Sequence, residues 1–292
     1  MEVSKKFESV RHGDKEGSGL SEKGREQARE KAKSYYREIQ ESEPGTVFYL
    51  IPSIVERDVE TRNLIEEELR QQAQGNSEIE FISVQDLERI KQSQGDITKK
   101  YVITELQPST PIGFKDSTEY MPAWNRHAKL FNKEEYYIVS SWIARKSEMQ
   151  ELEADVSGKY PEAVGKVKPD EFGMTPEEQA IKTLRLAARL GQLTEKYFLG
   201  HDYRCIQVGH SGLSDISMLP TLGQEINYTN YKRISGEQGR RPLESSHFRS
   251  DNGKILARYR ENEAVVEKNL DEIIKDLEKA SEERKKEWRQ PI

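Results

Sequence analysis

Phe7-Glu8-Ser9-Val10-Arg11-His12-Gly13 is the stretch on which the fold turns. Phe7 to Val10 reads as a short strand, and it ends at an arginine, a histidine and a glycine, so it hands a cation and an imidazole to the loop beyond. The arrangement recurs far along the chain. Tyr203 to Val208 reads as a strand, and Gly209-His210-Ser211-Gly212 follows at once. In open α/β sheets, ligands bind in the crevice outside the carboxyl ends of strands. One strand-end histidine can simply cap a loop; two at equivalent positions, each beside glycine, point to a shared site.

Between these two anchors, strand and helix signals alternate. A polar, glycine-containing loop runs from Asp14 to Leu20. Ser21 then caps a charged helix that extends to about Gln40. Thr46 to Ile51 has the β-branched and aromatic content of a buried strand. Glu56 to Gln72 is a second helix, with Val59, Leu64, Ile65 and Leu69 as its inner face. Ile79 to Val84 is a third strand. Such alternation predicts an α/β protein, a three-layer α/β/α sandwich with a mostly parallel central sheet.

The remainder divides into a cap and a tail. Residues 106–172 carry five prolines with Tyr120, Trp124, Phe131, Tyr136, Tyr137 and Trp142 among them, too aromatic for a disordered linker. They predict an inserted cap of helices and loops on a single domain spanning 1–292. Thr175-Pro176-Glu177-Glu178 is a capping box that opens a helix ending near Phe198. Leu213 to Leu222 reads as another helix. Tyr228 to Ile234 and Lys254 to Tyr259 read as strands of a late hairpin. A charged terminal helix is expected at about 261–288, with SEERKKEWRQ as its solvated end.

Composition removes several classes of function. Hydrophobic and charged residues each make up 34% of the 292, and the net charge is −6. That balance argues against broad binding to nucleic acid or anionic membranes. Cys205 is the single cysteine, which excludes an internal disulfide framework and a multi-cysteine zinc site; its apolar run suits a buried thiol. No apolar stretch approaches the ~20 residues that span a bilayer, and MEVSKKFESV lacks a signal-peptide core. A cytoplasmic setting is expected.

Val10-Arg11-His12-Gly13, with Leu20-Ser21-Glu22-Lys23-Gly24-Arg25-Glu26-Gln27-Ala28 downstream, resembles the opening signature of the histidine phosphatase superfamily, also called phosphoglycerate-mutase-like. A second element falls into register: Ser53, Arg57 and Thr61 match the Ser-Pro-x-x-Arg-Ala-x-x-Thr-Ala pattern, although its proline and both alanines are missing. Gly209-His210-Ser211-Gly212 matches the late histidine element. The resemblance covers residues 7–75 and 175–222 and leaves the insertion undescribed.

The resemblance implies a phosphatase that passes a phosphoryl group through His12. A phosphate monoester is dianionic, and the planar guanidinium forks of Arg11 and Arg57 suit its oxygens. Neutral His12 can attack phosphorus. His210 would donate to the transferring group, and Ser211, at the start of the next helix, would add to phosphate binding. Arg57 sits among Glu56, Asp58 and Glu60, so a surface ion pair is the competing reading, with Arg62 as its substitute. The proton donor to the leaving group is the open point: Glu105 is preferred and Glu88 stands behind it. Some phosphohistidine phosphatases of this superfamily have no comparable carboxylate. No cofactor or metal is called for. The expected partner is a phosphorylated small molecule or phosphoprotein, with the oligomeric state open.

The compact Asp14–Leu20 loop lacks the Gln-Ser-x-Trp-Asn continuation of glycolytic mutases, which favours the phosphatase branch. A phosphomutase and a catalytically inactive phosphate-binding module are the alternatives.

Overall fold

The computed structural model describes residues 5–53, 55–92, 98–104, 120–198, 202–209, 211–236, 241, 244–251 and 253–289. The chain opens with β1 (Lys5–Arg11). A two-residue hairpin, β2 (Lys15–Glu16) and β3 (Gly19–Leu20), follows inside the stretch expected to be loop. Next come α1 (Glu22–Glu41), β4 (Val47–Pro52), α2 (Glu56–Gln72), β5 (Ile79–Ile82), α3 (Leu87–Gln92) and β6 (Lys100–Ile103). The stretch expected to be a cap contains α4 (Tyr120–Leu130), α5 (Glu135–Ile143) and α6 (Met149–Ser157). Then follow α7 (Pro176–Tyr197), β7 (Tyr203–Gly209), α8 (Ser211–Thr221), α9 (Tyr228–Ser235), β8 (Ser245–Asp251), β9 (Lys254–Tyr259), β10 (Asn262–Val266) and α10 (Leu270–Arg289).

Eight strands form one sheet in the order β10-β9-β8-β1-β7-β4-β6-β5. From β1 to β5 every neighbouring pair is parallel, and β8, β9 and β10 extend the other side antiparallel. Strands covered on both faces need apolar residues on both, and β4 is buried at all six positions. One face packs Val10, Phe48, Leu50, Val102, Ile206 and Val208 against Ala28, Ala32, Tyr35 and Ile39 of α1 and Ile65 and Leu69 of α2. On the other, Phe7, Tyr49, Ile103 and Cys205 meet α7, α8 and the cap helices, with Trp142 fully buried in the cap. The sandwich is therefore three-layered, as expected.

Two elements differ from the sequence reading. Tyr228–Ser235 is a helix and not a strand: the Asn227 side chain caps it by accepting from the Asn230 amide at 2.9 Å, and Tyr228, Tyr231 and Ile234 are buried at helical, not alternating, spacing. The strand that precedes β9 and pairs with it is β8. The terminal helix starts at Leu270, not near 261, because residues 262–266 pair with β9. Asn269 caps it, exchanging bonds with Glu272 at 2.9 and 3.0 Å. Its end is solvated on one side only: Glu282, Glu283, Lys286 and Arg289 are exposed, while Ser281 and Arg284 are buried. Arg284 is fully buried with all three guanidinium nitrogens engaged: Nε donates to Glu177 at 2.9 Å, Nη1 to Ile143 O at 2.9 Å and Nη2 to Ile226 O at 2.6 Å. No helix among the described residues is long and apolar enough to cross a membrane.

Candidate active site

The parallel register brings three strand ends level. Val10 and Pro52 both pair with Val208, and Arg11 pairs with Gly209. The residues that follow β1, β4 and β7 therefore emerge side by side, at the edge where α/β sheets bind ligands. The His12 amide donates to Gly209 O at 3.2 Å and the Ser53 amide to Val208 O at 2.8 Å, which ties the first and second of these loops to the third.

His12 is buried at 2% exposure. Its Nδ1 lies 2.6 Å from the Gly13 carbonyl oxygen, an acceptor only, so Nδ1 carries the proton. Nε2 is left with the lone pair and accepts from Arg57 Nε at 3.0 Å. The ring is thus held in the tautomer a nucleophile needs, with a permanent cation beside the reactive nitrogen. Arg57 stands in the first turn of α2, and its carbonyl accepts from the Thr61 hydroxyl at 2.8 Å; the same hydroxyl takes the Gly13 amide at 3.4 Å. Thr61 therefore links the loop after His12 to the turn that presents Arg57. Arg11 is the last residue of β1, half-buried, with its amide on Glu244 O at 3.2 Å.

The glycines of the opening motif serve a close approach. A Cβ on Gly13 would lie 2.5 Å from Gly24 O, and one on Gly24 would overlap Asp14 O. Only hydrogen at both positions lets the first turn of α1 sit against the loop that carries His12. Ser21 caps that helix, accepting from the Gly24 amide at 3.1 Å, and Gln27 Oε1 takes the Asp14 amide at 3.0 Å.

A feature missed from sequence lies behind Arg57. Asp58 is fully buried and its carboxylate accepts from the Ser53 hydroxyl, while Ser53 Oγ takes the Val55 amide at 3.2 Å. With Thr61 it fills the inner positions of α2 assigned to Val59 and Leu64, which are half-buried. The signal was present: Asp58 stands where the matching pattern has alanine.

Of the expected residues, His12 and Arg57 are brought together and Arg11 flanks them. Ser211 opens α8. His210 and Glu105 lie outside the described residues. Arg62 is committed to Glu66 at 2.6 Å, which removes it as a substitute for Arg57. Glu88, on α3, accepts from the Tyr197 hydroxyl at 2.9 Å at an exposed position.

Lys15, on the hairpin, completes the local charge. Its ammonium is held below the usual value, first by loss of solvent and then by Arg57, with Arg11 and Lys133 adding to the effect and Glu135 opposing it.

These features converge in order and in geometry. The resemblance is to the histidine phosphatase superfamily. Among solved structures, the chain is similar to a mycobacterial glucosyl-3-phosphoglycerate phosphatase (15% identity, TM-score 0.42, covering 91% of this chain and 99% of that one). It is similar also to a phosphoserine phosphatase from Entamoeba histolytica (13%, 0.43, 88% and 97%) and to a phosphoglycerate mutase from Plasmodium falciparum (14%, 0.35, 90% and 98%). No family model matches the chain. No curated protein matches it either.

Proposed function

We propose that the protein is a metal-independent phosphatase that hydrolyses a phosphate monoester or phosphohistidine through a covalent phosphohistidine on His12. The observation that carries this reading is the state of the His12 ring: Nδ1–H on the Gly13 carbonyl, Nε2 turned to Arg57. In the reaction Nε2 attacks phosphorus in line with the leaving oxygen. Arg11 and Arg57 neutralise the dianion and hold the charge that spreads over the equatorial oxygens. The Gly13 carbonyl takes up the positive character that the ring gains as the P–N bond forms. His210 and the helix start at Ser211 supply further donors, and Glu105 protonates the leaving group. Water then attacks the phosphohistidine, returning neutral His12 and inorganic phosphate.

The test is a single pair of proteins. Wild type should release phosphate from an aryl phosphate in the presence of EDTA, and quenched enzyme should carry acid-labile, base-stable phosphate on His12. The His12→Ala protein should fold and do neither. Full hydrolysis by His12→Ala would sink the mechanism. Loss of activity with chelator and its return with magnesium would move the protein to another class. Phosphate release should also exceed isomerisation of a phosphoglycerate, because the loop after Gly13 offers only Lys15 as an extra cation.

A further inference from the structure

Arg260 stands where the backbone asks for a different residue. Tyr259 pairs with Asn262, so Arg260 and Glu261 alone turn β9 into β10, and Arg260 has φ 55°. A central residue of a two-residue hairpin with positive φ is ordinarily glycine, asparagine or aspartate, which enter the left-handed region readily. A long side chain kept in that conformation marks a place where the surroundings enforce it.

What holds it there is the guanidinium, which reaches two segments at once. Nε and Nη2 form a fork on the Glu244 carboxylate, at 2.7 and 3.1 Å. Glu244 immediately precedes β8, and its carbonyl oxygen accepts from the Arg11 amide at 3.2 Å. Nη1 turns the other way and donates to Ile234 O at 3.2 Å and to Ser235 O. Those are the last carbonyls of α9, which ends at Gly236 with φ 63°, so the cation also meets the negative end of that helix. The Ser235 side chain carries the contacts onward. Its hydroxyl donates to Asp215 Oδ2 at 3.1 Å, and both residues are buried, at 1% and 0% exposure. Asp215 lies near the start of α8, which opens at Ser211, directly after His210 in the sequence.

One side chain therefore joins the end of β1, where Arg11 leads into His12, to the first turns of α8. We propose that Arg260 is a positioning residue for the phosphatase, holding Arg11 and the start of α8 at the spacing that one phosphoryl group requires. This rests on the phosphatase reading of the same pocket. The fork matters as much as the charge: a lysine ammonium can meet the helix carbonyls or Glu244, but it cannot hold both in fixed directions. The hairpin itself has no need of arginine, since glycine takes the turn without strain.

Arg260→Gly separates the two roles, because it removes the guanidinium and relaxes the turn. Its urea midpoint should stay near that of wild type. On an aryl phosphate its kcat should fall on the order of 10²-fold with KM changed less than about threefold, the scale of a small misplacement at a reacting centre. Added methylguanidinium should restore part of kcat in Arg260→Gly and leave wild type unchanged, which a loss of folded protein does not allow. Arg260→Lys should fall between the two, about tenfold below wild type. Ser235→Ala breaks the link to Asp215; it should lower kcat about tenfold alone and by little in the Arg260→Gly background, since both act along one chain of contacts. A kcat for Arg260→Gly within about threefold of wild type overturns the positioning role, as does a loss that tracks the unfolded fraction without rescue. Should Arg260→Gly fail to fold, Arg260→Lys and Ser235→Ala decide, and wild-type kcat in both overturns the role. Absence of phosphate release by wild type, with no phosphate on His12, overturns the phosphatase reading and this inference with it.

Discussion

Arg57 Nε rests 3.0 Å from His12 Nε2, the ring nitrogen that meets phosphorus in the reaction proposed above. In that proposal an incoming phosphoryl group would take that place, and the guanidinium would turn from nitrogen lone pair to phosphate oxygen as it did. The fork therefore serves twice, once to orient the ring and once to hold the oxygens. Arg57→Lys keeps the charge and loses the fork, so kcat/KM should fall by about 10²-fold, the scale of losing one oriented donor. Steady-state kinetics on an aryl phosphate measures this. A loss below threefold would mean that charge alone suffices.

Gly24 tests the close approach behind the nucleophile loop. A methyl group there has no room against Asp14 O, so Gly24→Ala should cost about 1–3 kcal/mol and lower activity with it. Gly158 is the control, with φ −70° and nothing within 4 Å of an added Cβ. Gly158→Ala should be neutral or stabilising by up to about 1 kcal/mol. Urea unfolding of the two variants gives the contrast; equal midpoints would remove the packing argument.

The Arg284–Glu177 pair predicts a strongly non-additive cycle. Both side chains are buried, at 0% and 1%. Removing one partner leaves the other charged in the interior, so Arg284→Met or Glu177→Met alone should cost about 3–5 kcal/mol. The double variant should recover part of that loss. Chemical denaturation of all four proteins closes the cycle, and simple additivity would show that the two charges act separately.

His127 should make the cap acid-sensitive. It is buried in α4, with Nδ1 2.6 Å from Ser141 Oγ and Nε2 3.8 Å from Glu171, and burial pushes its pKa down to about 4. The unfolded chain takes up the proton first as pH falls through about 6.5, so stability is present above that value and is lost progressively toward pH 4. The loss should reach about 2–3 kcal/mol. Unfolding at pH 7.5 and 5.0 should show a smaller difference in His127→Gln than in wild type. An unchanged difference would assign the acid sensitivity to other groups.

Much of this was readable because it was local. Ser21, Thr175 and the Phe7–Val10 run carry their instructions within four or five residues, and the structure places helix starts and strand where those residues put them. What escaped depends on distant partners. Tyr228–Ser235 offered aromatic content that suits a strand, and only the helical burial of Tyr228, Tyr231 and Ile234 against the core distinguishes it. His127 follows Asn125 and Arg126, and nothing in that neighbourhood announces Ser141 and Glu171 as its partners. Arg284 sat in a run of charges, and its burial is set by Glu177, Ile143 and Ile226, all remote in sequence. Tyr101-Val102-Ile103 is too short an apolar run to declare itself a strand; it becomes one by fitting between β4 and β5. At the site, His12 and Arg57 followed from motif order, whereas the burial of Asp58 required knowing which face of α2 the pocket occupies.

The strand that leads into His12 lies between β7 and β8, both of which come from residues 203 onward. Lys5 waits for Tyr203 on one side and Ser250 on the other. Loop closure over such a span is slow, and an unsatisfied strand in the meantime is open to wrong partners. A ribosome can therefore complete α1 to α6 while β1 still lacks both neighbours. The pairing of His12 with Arg57 beside β7 would then be completed in one late step, when residues 203–251 fold back and enclose β1. Translation rate and chaperone access over that interval should govern the yield of active protein more than the stability of the finished fold.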